Sequence, residues 1–224
     1  MADLSDHNCK LIDILQILRN NNLKIQTEKC NFLRKEIQFL GHIITTEGIK
    51  PNPKTVEAVK NFPTPRTQKQ VKSFIGLTSY YRKFIPGFSS IAEPLHKLTR
   101  KRNEFIWDDS CEMAFNALKH ELSNPPILQY PDMEKPFILT TDASCYGLGA
   151  VLSQNHNGHD LPIAFASRTL NNAEKNYSTI EKEMLATKWA VSIFRPDLYG
   201  QKFTLVTVHK PLTSALCNAS KNGS

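Results

Sequence analysis

Asp142 stands where an apolar, β-branched run stops. In residues 138–154, ILTTDASCYGLGAVLSQ, the run Ile138–Leu139–Thr140–Thr141 has strand composition, Asp142 ends it, and Gly147, Gly149 and a second apolar run follow. This is the pattern of a strand, a tight turn and a return strand. A lone acid at the end of a buried strand is costly unless it is paired or binds a cation. Two readings stay open on this stretch alone: a turn-capping Asp, or a metal-binding carboxylate on a hairpin. Glu181 and Glu183 fall in the early turns of a helix beginning at Ser178 or Thr179, and Glu183 belongs to the part able to face the sheet end. Carboxylates from separate elements meeting at one point would make a site for a hard cation. His156 and His159, in NHNGHD, read instead as a solvated loop tip with an Asn-Gly turn, since no further ligand pair is near.

The elements that must position these residues follow from periodicity. Residues 162–170 read as a third strand, 178–194 as a long helix and 203–207 as a fourth strand, so the second half is β-β-β-α-β with a parallel crossover. Ile180, Met184, Leu185, Trp189, Val191 and Ile193 are the expected sheet-packing face of that helix. Upstream, residues 9–21 read as an amphipathic helix, with strand-like pieces at 23–25, 31–33 and 37–40 and a strand–turn–return over 43–49. Helices are expected over 53–62, 67–85 (N-cap Thr67), 88–98 and 109–123 (cap Asp108). The prolines at 125, 126, 131 and 136 suggest a rigid connector, with a domain boundary near 130–135.

Composition narrows the class. At 224 residues with 40% hydrophobic and 22% charged side chains, the chain is globular in character. No apolar run reaches the roughly 20 residues of a membrane span, and the first ten residues hold no apolar signal core. Five scattered cysteines without a CxxC pair argue against a zinc site or disulfide framework and for a reducing compartment. The expected location is intracellular, cytoplasmic or nuclear. The charge of +7 is uneven: residues 1–102 hold 18 Lys and Arg against 8 Asp and Glu, and residues 103–224 hold 10 against 13. A basic first half suits a polyanion partner, and the alternative is a solvated basic surface.

The motifs TDASCYGLGAVLSQ, SRTLNNAEKNYSTIEKEMLATKWAV and VTVHKPLT closely resemble the RNase H-like domain of gypsy-type LTR retrotransposon polyproteins. Upstream, NFLRKEIQFLGHIITTEGIKPNPKTVEAV and TQKQVKSFIGLTSYYRKFIPGFSSIAEPLHKLT resemble the C-terminal palm and thumb of the same reverse transcriptases. The resemblance covers almost all of 10–213. It implies an α+β architecture: a palm remnant with a primer-grip hairpin (1–52), helical thumb and connection (53–132), a truncated RNase H-like mixed sheet (133–216) and a polar tail (217–224).

The resemblance also implies roles. Phe39, Leu40, Gly41 and His42 match the primer-grip hairpin, and Gly76 and Tyr80 match the Gly and aromatic positions of the thumb helix that follows the minor groove. A Gly permits close approach of the backbone and an aromatic packs on sugars, although ordinary helix packing is the other reading of Tyr80 and Tyr81. Arg82 and Lys83 suit phosphates. Asp142 and Glu183 match the first two catalytic carboxylates, which in the family hold two Mg²⁺ ions at the scissile phosphate. The implied partners are an RNA–DNA hybrid or template–primer duplex, and other Pol-derived chains.

Three departures stand beside the match. The family's polymerase Asp pair lies upstream, and residues 1–10 contain no adjacent aspartates, so these residues are not expected to polymerise DNA. Segment 23–50, short of its usual sheet, is expected to show exposed strand edges. The family's third carboxylate position is Val208, which offers Mg²⁺ no lone pair. The elements supplying a fourth carboxylate are expected to be missing, and Glu181, two residues from Glu183, points elsewhere. The expected outcome is a reverse transcriptase/RNase H fragment with a defective cleavage site. The alternatives are a sequence-independent nucleic-acid-binding remnant and a decayed reading frame without function.

Overall fold

Helix α1 (Leu4–Asn20) starts earlier than its apolar periodicity suggests, with an Asp6–Lys10 ion pair at 2.7 Å across its first turns. It ends where Asn22 takes a left-handed φ of 56° and the Leu23 amide closes on Leu18 O. The computed structural model describes residues 4–100 and 104–207. Within it, contacts divide the chain into one unit up to Ile37 and another from Gln38 on. In the first unit no α1 residue is buried, and 23–25 and 31–33 form no strands; a 3-10 turn (Thr27–Lys29) lies between them. β-propensity needs a partner strand to become a strand, and these short pieces have none.

A small sheet begins at this division and runs in the order β1 (Glu36–Phe39), β2 (His42–Thr45), β3 (Gly48–Pro51). All of β1 is exposed, as expected of an edge, whereas β2 and β3 are half-buried or buried. Gly48 has φ +140°, and a Cβ there would lie 2.3 Å from Leu128 O, so only glycine permits this approach.

Helix α2 (Pro53–Lys60) opens with Pro53 and is capped by Asn52, whose side chain accepts from the Lys54 amide. Helix α3 (Gln68–Ser79) is capped by Thr67 and buries Val71, Phe74, Ile75 and Thr78. It stops at Ser79, not near 85. The Thr78 hydroxyl donates back to Phe74 O and Ile75 O, and a 3-10 turn (Arg82–Phe84) redirects the chain so that Tyr81, Phe84 and Ile85 enter the core. The stretch expected as one helix over 88–98 is two, α4 (Phe88–Ile91) and α5 (Glu93–Leu98), broken beside Pro94, which has no N–H to donate. Helix α6 (Asp109–Ser123) begins at Asp108, which accepts from the Ser110 hydroxyl and Cys111 amide; these hold its carboxyl down at about 2. Phe74, Phe84, Phe115, Leu95 and Leu118 are the centre of this helical core.

The connector does not part the second unit. Leu128 bridges Ile49 in both directions, the Gln129 amide donates to Pro162 O, and Tyr130 Oη donates to Thr45 O at 3.0 Å. The buried amide of Gln154 receives the Asp132 amide and donates to Asp132 O and Lys135 O. The contacts therefore break at Ile37/Gln38, while 128–135 is crossed by hydrogen bonds on both sides.

The second sheet runs in the order β6 (His159–Thr169), β5 (Gly147–His156), β4 (Phe137–Ala143), β7 (Phe203–Thr207). β4 and β7 are parallel, Leu139 beside Leu205, joined through α7 (Thr179–Ile193) and the short α8 (Arg195–Leu198). The expected loop 155–160 is tighter than read: the strands run to His156 and from His159, and only Asn157 (φ 53°) and Gly158 (φ 87°) make the turn. Ser178 and Glu181 form a reciprocal capping box at the start of α7. The helix face on the sheet differs from expectation. Glu183, Ala186 and Ala190 are buried, with Leu185 and Trp189 partly so, while Ile180, Met184, Val191 and Ile193 are exposed. Small alanines let the helix backbone settle close to the sheet, and the bulky residues are left outside. No described helix is long and apolar enough to cross a membrane.

Candidate nucleic-acid interface and carboxylate site

The turn between β1 and β2 consists of Leu40 (φ 43°) and Gly41 (φ 70°), both left-handed. Such a turn places strain on Leu40, of about 1 kcal/mol for a non-glycine residue. Two tyrosines at the end of α3 hold it. Tyr80 Oη donates to Leu40 O at 2.5 Å and Tyr81 Oη donates to Gly41 O at 2.7 Å. His42 packs its ring 5.5 Å from both tyrosine rings and 5.7 Å from Phe84, and its Nδ1 lies 2.7 Å from Leu40 O. Burial lowers the His42 pKa, the Leu40 carbonyl opposes this, and Lys83 adds to the lowering. Tyr81 is buried, but Tyr80 keeps half its surface in solvent, and Phe39 and Leu40 at the hairpin tip are exposed.

This clamp joins two motifs read separately in the sequence, the hairpin 39–42 and the helix bearing Gly76 and Tyr80. Their coupling had a faint signal: two adjacent tyrosines cannot both face a helix core. On α3, Lys69, Lys72, Gly76 and Tyr80 are all exposed and recur at spacings of three and four, so they share the outer face. Nothing packs within 4 Å of the position a Gly76 Cβ would take. Lys69 and Lys72 were missed in reading the sequence, although their spacing from Gly76 and Tyr80 places them on that face.

Arg82 and Lys83 leave the helix axis. Arg82 Nη2 donates to Ser167 O and to Ser89 Oγ (3.4 Å), tying the helical part to β6. Lys83 sits 5.3 Å over the Phe84 ring, and burial lowers its pKa.

Asp142 is exposed near the end of β4 and pairs with Gly149 across the hairpin. It lines a cavity of about 190 Å³ with Thr140, Gly149, Phe165, Pro86 and Gly87. Glu183 is buried on the sheet-facing side of α7. The helix is fixed over the strand end by the Thr141 and Thr187 hydroxyls, 3.3 Å apart, and Thr187 also donates to Glu183 O. Phe137, Leu139 and Thr141 are the buried residues of β4, so alternation assigns Asp142 to the other face, with Ile138 and Thr140. The two acids thus come from elements meeting at one end of the sheet but belong to opposite faces of it.

The last described rung of the parallel ladder is Thr141 beside Thr207, and Val208 lies outside the described residues. Among the described residues no group of three or more His, Cys, Asp or Glu side chains could hold a metal ion. They do not by themselves fit a two-ion centre. Glu181 is committed to its capping box, where the Ser178 amide and hydroxyl lower its pKa.

Residues 107–205 match the family described as the RNase H-like domain found in reverse transcriptase. The chain is 49% identical over 213 residues to the retrovirus-related Pol polyprotein from transposon 297 of Drosophila melanogaster, covering 94% of this chain and 20% of the relative. It spans about a fifth of the length of the curated relatives it matches. Among solved structures it is similar to the foamy viral protease-reverse transcriptase in complex with double-stranded DNA (25% identity, TM-score 0.81, 97% of this chain and 38% of that one). It is also similar to the foamy viral protease-reverse transcriptase in complex with RNA/DNA hybrid (26% identity, TM-score 0.78, 92% of this chain and 28% of that one). Residues 107–205 are an RNase H-like domain of the reverse-transcriptase kind, and the chain as a whole is similar to the Pol polyproteins of gypsy-class retrotransposons.

Proposed function

We propose that these residues hold a nucleic-acid duplex by its backbone, through the outer face of α3 and the clamped hairpin, and do not cleave it. The observation that carries the reading is the tyrosine clamp, which makes the exposed tip Phe39–Leu40 and the face Lys69–Lys72–Gly76–Tyr80 parts of one rigid body. Lysines on an outer face meet phosphates without reading sequence, and an exposed aromatic beside a bare glycine backbone packs on sugars. The solved relatives were captured with double-stranded DNA and with RNA/DNA hybrid, which supports the same class of partner here.

RNA-directed DNA synthesis and hydrolysis of RNA in hybrids are the activities we associate with the longer polyproteins. For Mg²⁺ the residues assigned are Asp142 and Glu183, and Val208 takes the place of the third carboxylate. Two divalent ions need more negative charge than that pair supplies, which favours binding without cleavage.

The test is a titration of a labelled RNA–DNA hybrid with the purified chain in Mg²⁺ at low and moderate salt. Binding that weakens steeply with salt while the probe stays intact is expected. A cut probe would refute the cleavage-dead half of the proposal, and an absence of binding at low salt would refute the whole.

A further inference from the structure

We infer that the cavity between the α4–α5 segment and the end of β6 binds a phosphate group. It measures about 450 Å³ and is lined by Arg82, Ser89, Glu93, His96, Arg100 and Arg168, among others. The inference needs neither a duplex nor a metal, and it uses Arg100, the first of three consecutive basic residues in the sequence (Arg100-Lys101-Arg102), which the duplex reading leaves unused.

Two of the cations, Arg82 and Arg168, are held in place before any ligand arrives. Arg82 is fixed by two neutral oxygens, Ser167 O and Ser89 Oγ, and by the Phe88 ring 5.6 Å from its guanidinium carbon. Arg168 is fixed by a two-pronged pair with Glu174, at 2.7 and 3.0 Å. Glu93 pairs with Lys97 at 2.9 Å. Among the described residues neither Arg82 nor Arg100 has a carboxylate within ion-pair distance. Of the charged side chains that line the cavity, three are arginines (Arg82, Arg100, Arg168) and one is a carboxylate (Glu93), and Arg168 and Glu93 have partners outside the lining, Glu174 and Lys97. Burial first lowers the His96 pKa; Arg82 adds to this, Glu93 opposes it, and Arg100 adds a smaller lowering. Guanidinium groups in fixed positions, with hydroxyls beside them, are the donor set that planar recognition of phosphate oxygens uses.

The ligand chemistry is one phosphate or diphosphate group, free or in a nucleic-acid backbone. The full chain is titrated calorimetrically with pyrophosphate at constant ionic strength, with sodium chloride as control, while the His96 ring protons are followed by NMR. Saturable binding is expected, together with a rise of the His96 pKa, because an anion offsets the two arginines. Arg100→Gln, at an exposed position, should keep the unfolding temperature and weaken pyrophosphate binding about tenfold, the scale of one charge-assisted hydrogen bond. No saturable binding, or a His96 shift reproduced by chloride, overturns the inference.

A second arm adds the labelled hybrid. Displacement of hybrid by pyrophosphate, with Arg100→Gln weakening both, identifies a backbone phosphate as the occupant. Loss of pyrophosphate binding with hybrid binding intact identifies a free phosphate. Pyrophosphate binding in a chain that binds no hybrid leaves this inference standing and removes the duplex proposal.

Discussion

Replacing Tyr81 with phenylalanine removes one oxygen from a ring that is 2% exposed and leaves the packing against His42 and Phe84 in place. What disappears is the 2.7 Å hydrogen bond to Gly41 O. That carbonyl keeps a second donor, the Asn52 amide at 3.2 Å, so it is not orphaned. The net cost should then be that of one ordinary hydrogen bond, about 1 kcal/mol. The same change at Tyr80 should cost less, about 0.5 kcal/mol, because that ring is half in solvent and water replaces its hydroxyl at Leu40 O. Together the two changes exceed the roughly 1 kcal/mol of strain at Leu40, so the turn should open ahead of the rest of its unit.

The assay is amide hydrogen exchange. For Tyr81→Phe, protected amides in β2 and β3 should exchange about fivefold faster, the factor that 1 kcal/mol represents, with β4 and β5 unchanged. Hybrid binding should weaken in step, since the hairpin tip is no longer held beside α3. Equal acceleration throughout the second unit would show that Tyr81 is only a core residue. No acceleration in the hairpin would show that the hydroxyl contributes nothing to the turn.

Other expectations follow from the same geometry. Lys69→Gln with Lys72→Gln should lower the slope of log affinity against log salt by about two, one for each phosphate no longer neutralised, while leaving the melting temperature unchanged. An unchanged slope would place the duplex elsewhere. His42 has its pKa lowered from 6.5 in the folded chain, by burial first and Lys83 last, so the folded state resists the proton that the unfolded chain accepts. Hairpin stability should therefore be full above about pH 6.5 and fall as pH drops below it, and His42→Gln should flatten that fall in exchange rates measured between about pH 7.5 and 5. A steeper fall in the variant would reverse the sign of the argument. Val208→Asp should raise Mg²⁺-dependent cutting of an RNA–DNA hybrid above that of the native chain in an end-labelled gel assay. No gain, in the context of the longer polyprotein, would mean that this position is not the lesion.

Local chemistry was legible in the residues themselves. Caps at Thr67, Asp108 and Ser178, the proline at 53 and the alternation after Phe137 placed most helix starts and both hairpins, because each acts through neighbours within a turn or a rung. The motif residues Asp142, Glu183 and 39–42 were found by their order along the chain. What they touch was not legible, since it depends on partners far away in sequence. The helix at α3 gave way at Ser79 because burying Tyr81 and Phe84 outweighed continuing the helix, and that core includes side chains from α6. The face of α7 was misread because apolar count does not say how closely a helix must approach a sheet; Ala186 and Ala190 permit the approach, and Ile180 and Met184 remain outside. The tyrosine clamp spans forty residues, and the Arg82 tie to β6 spans eighty-five. Hydrogen bonds of that reach exist only once packing has brought their partners together, so only the tertiary structure decided them.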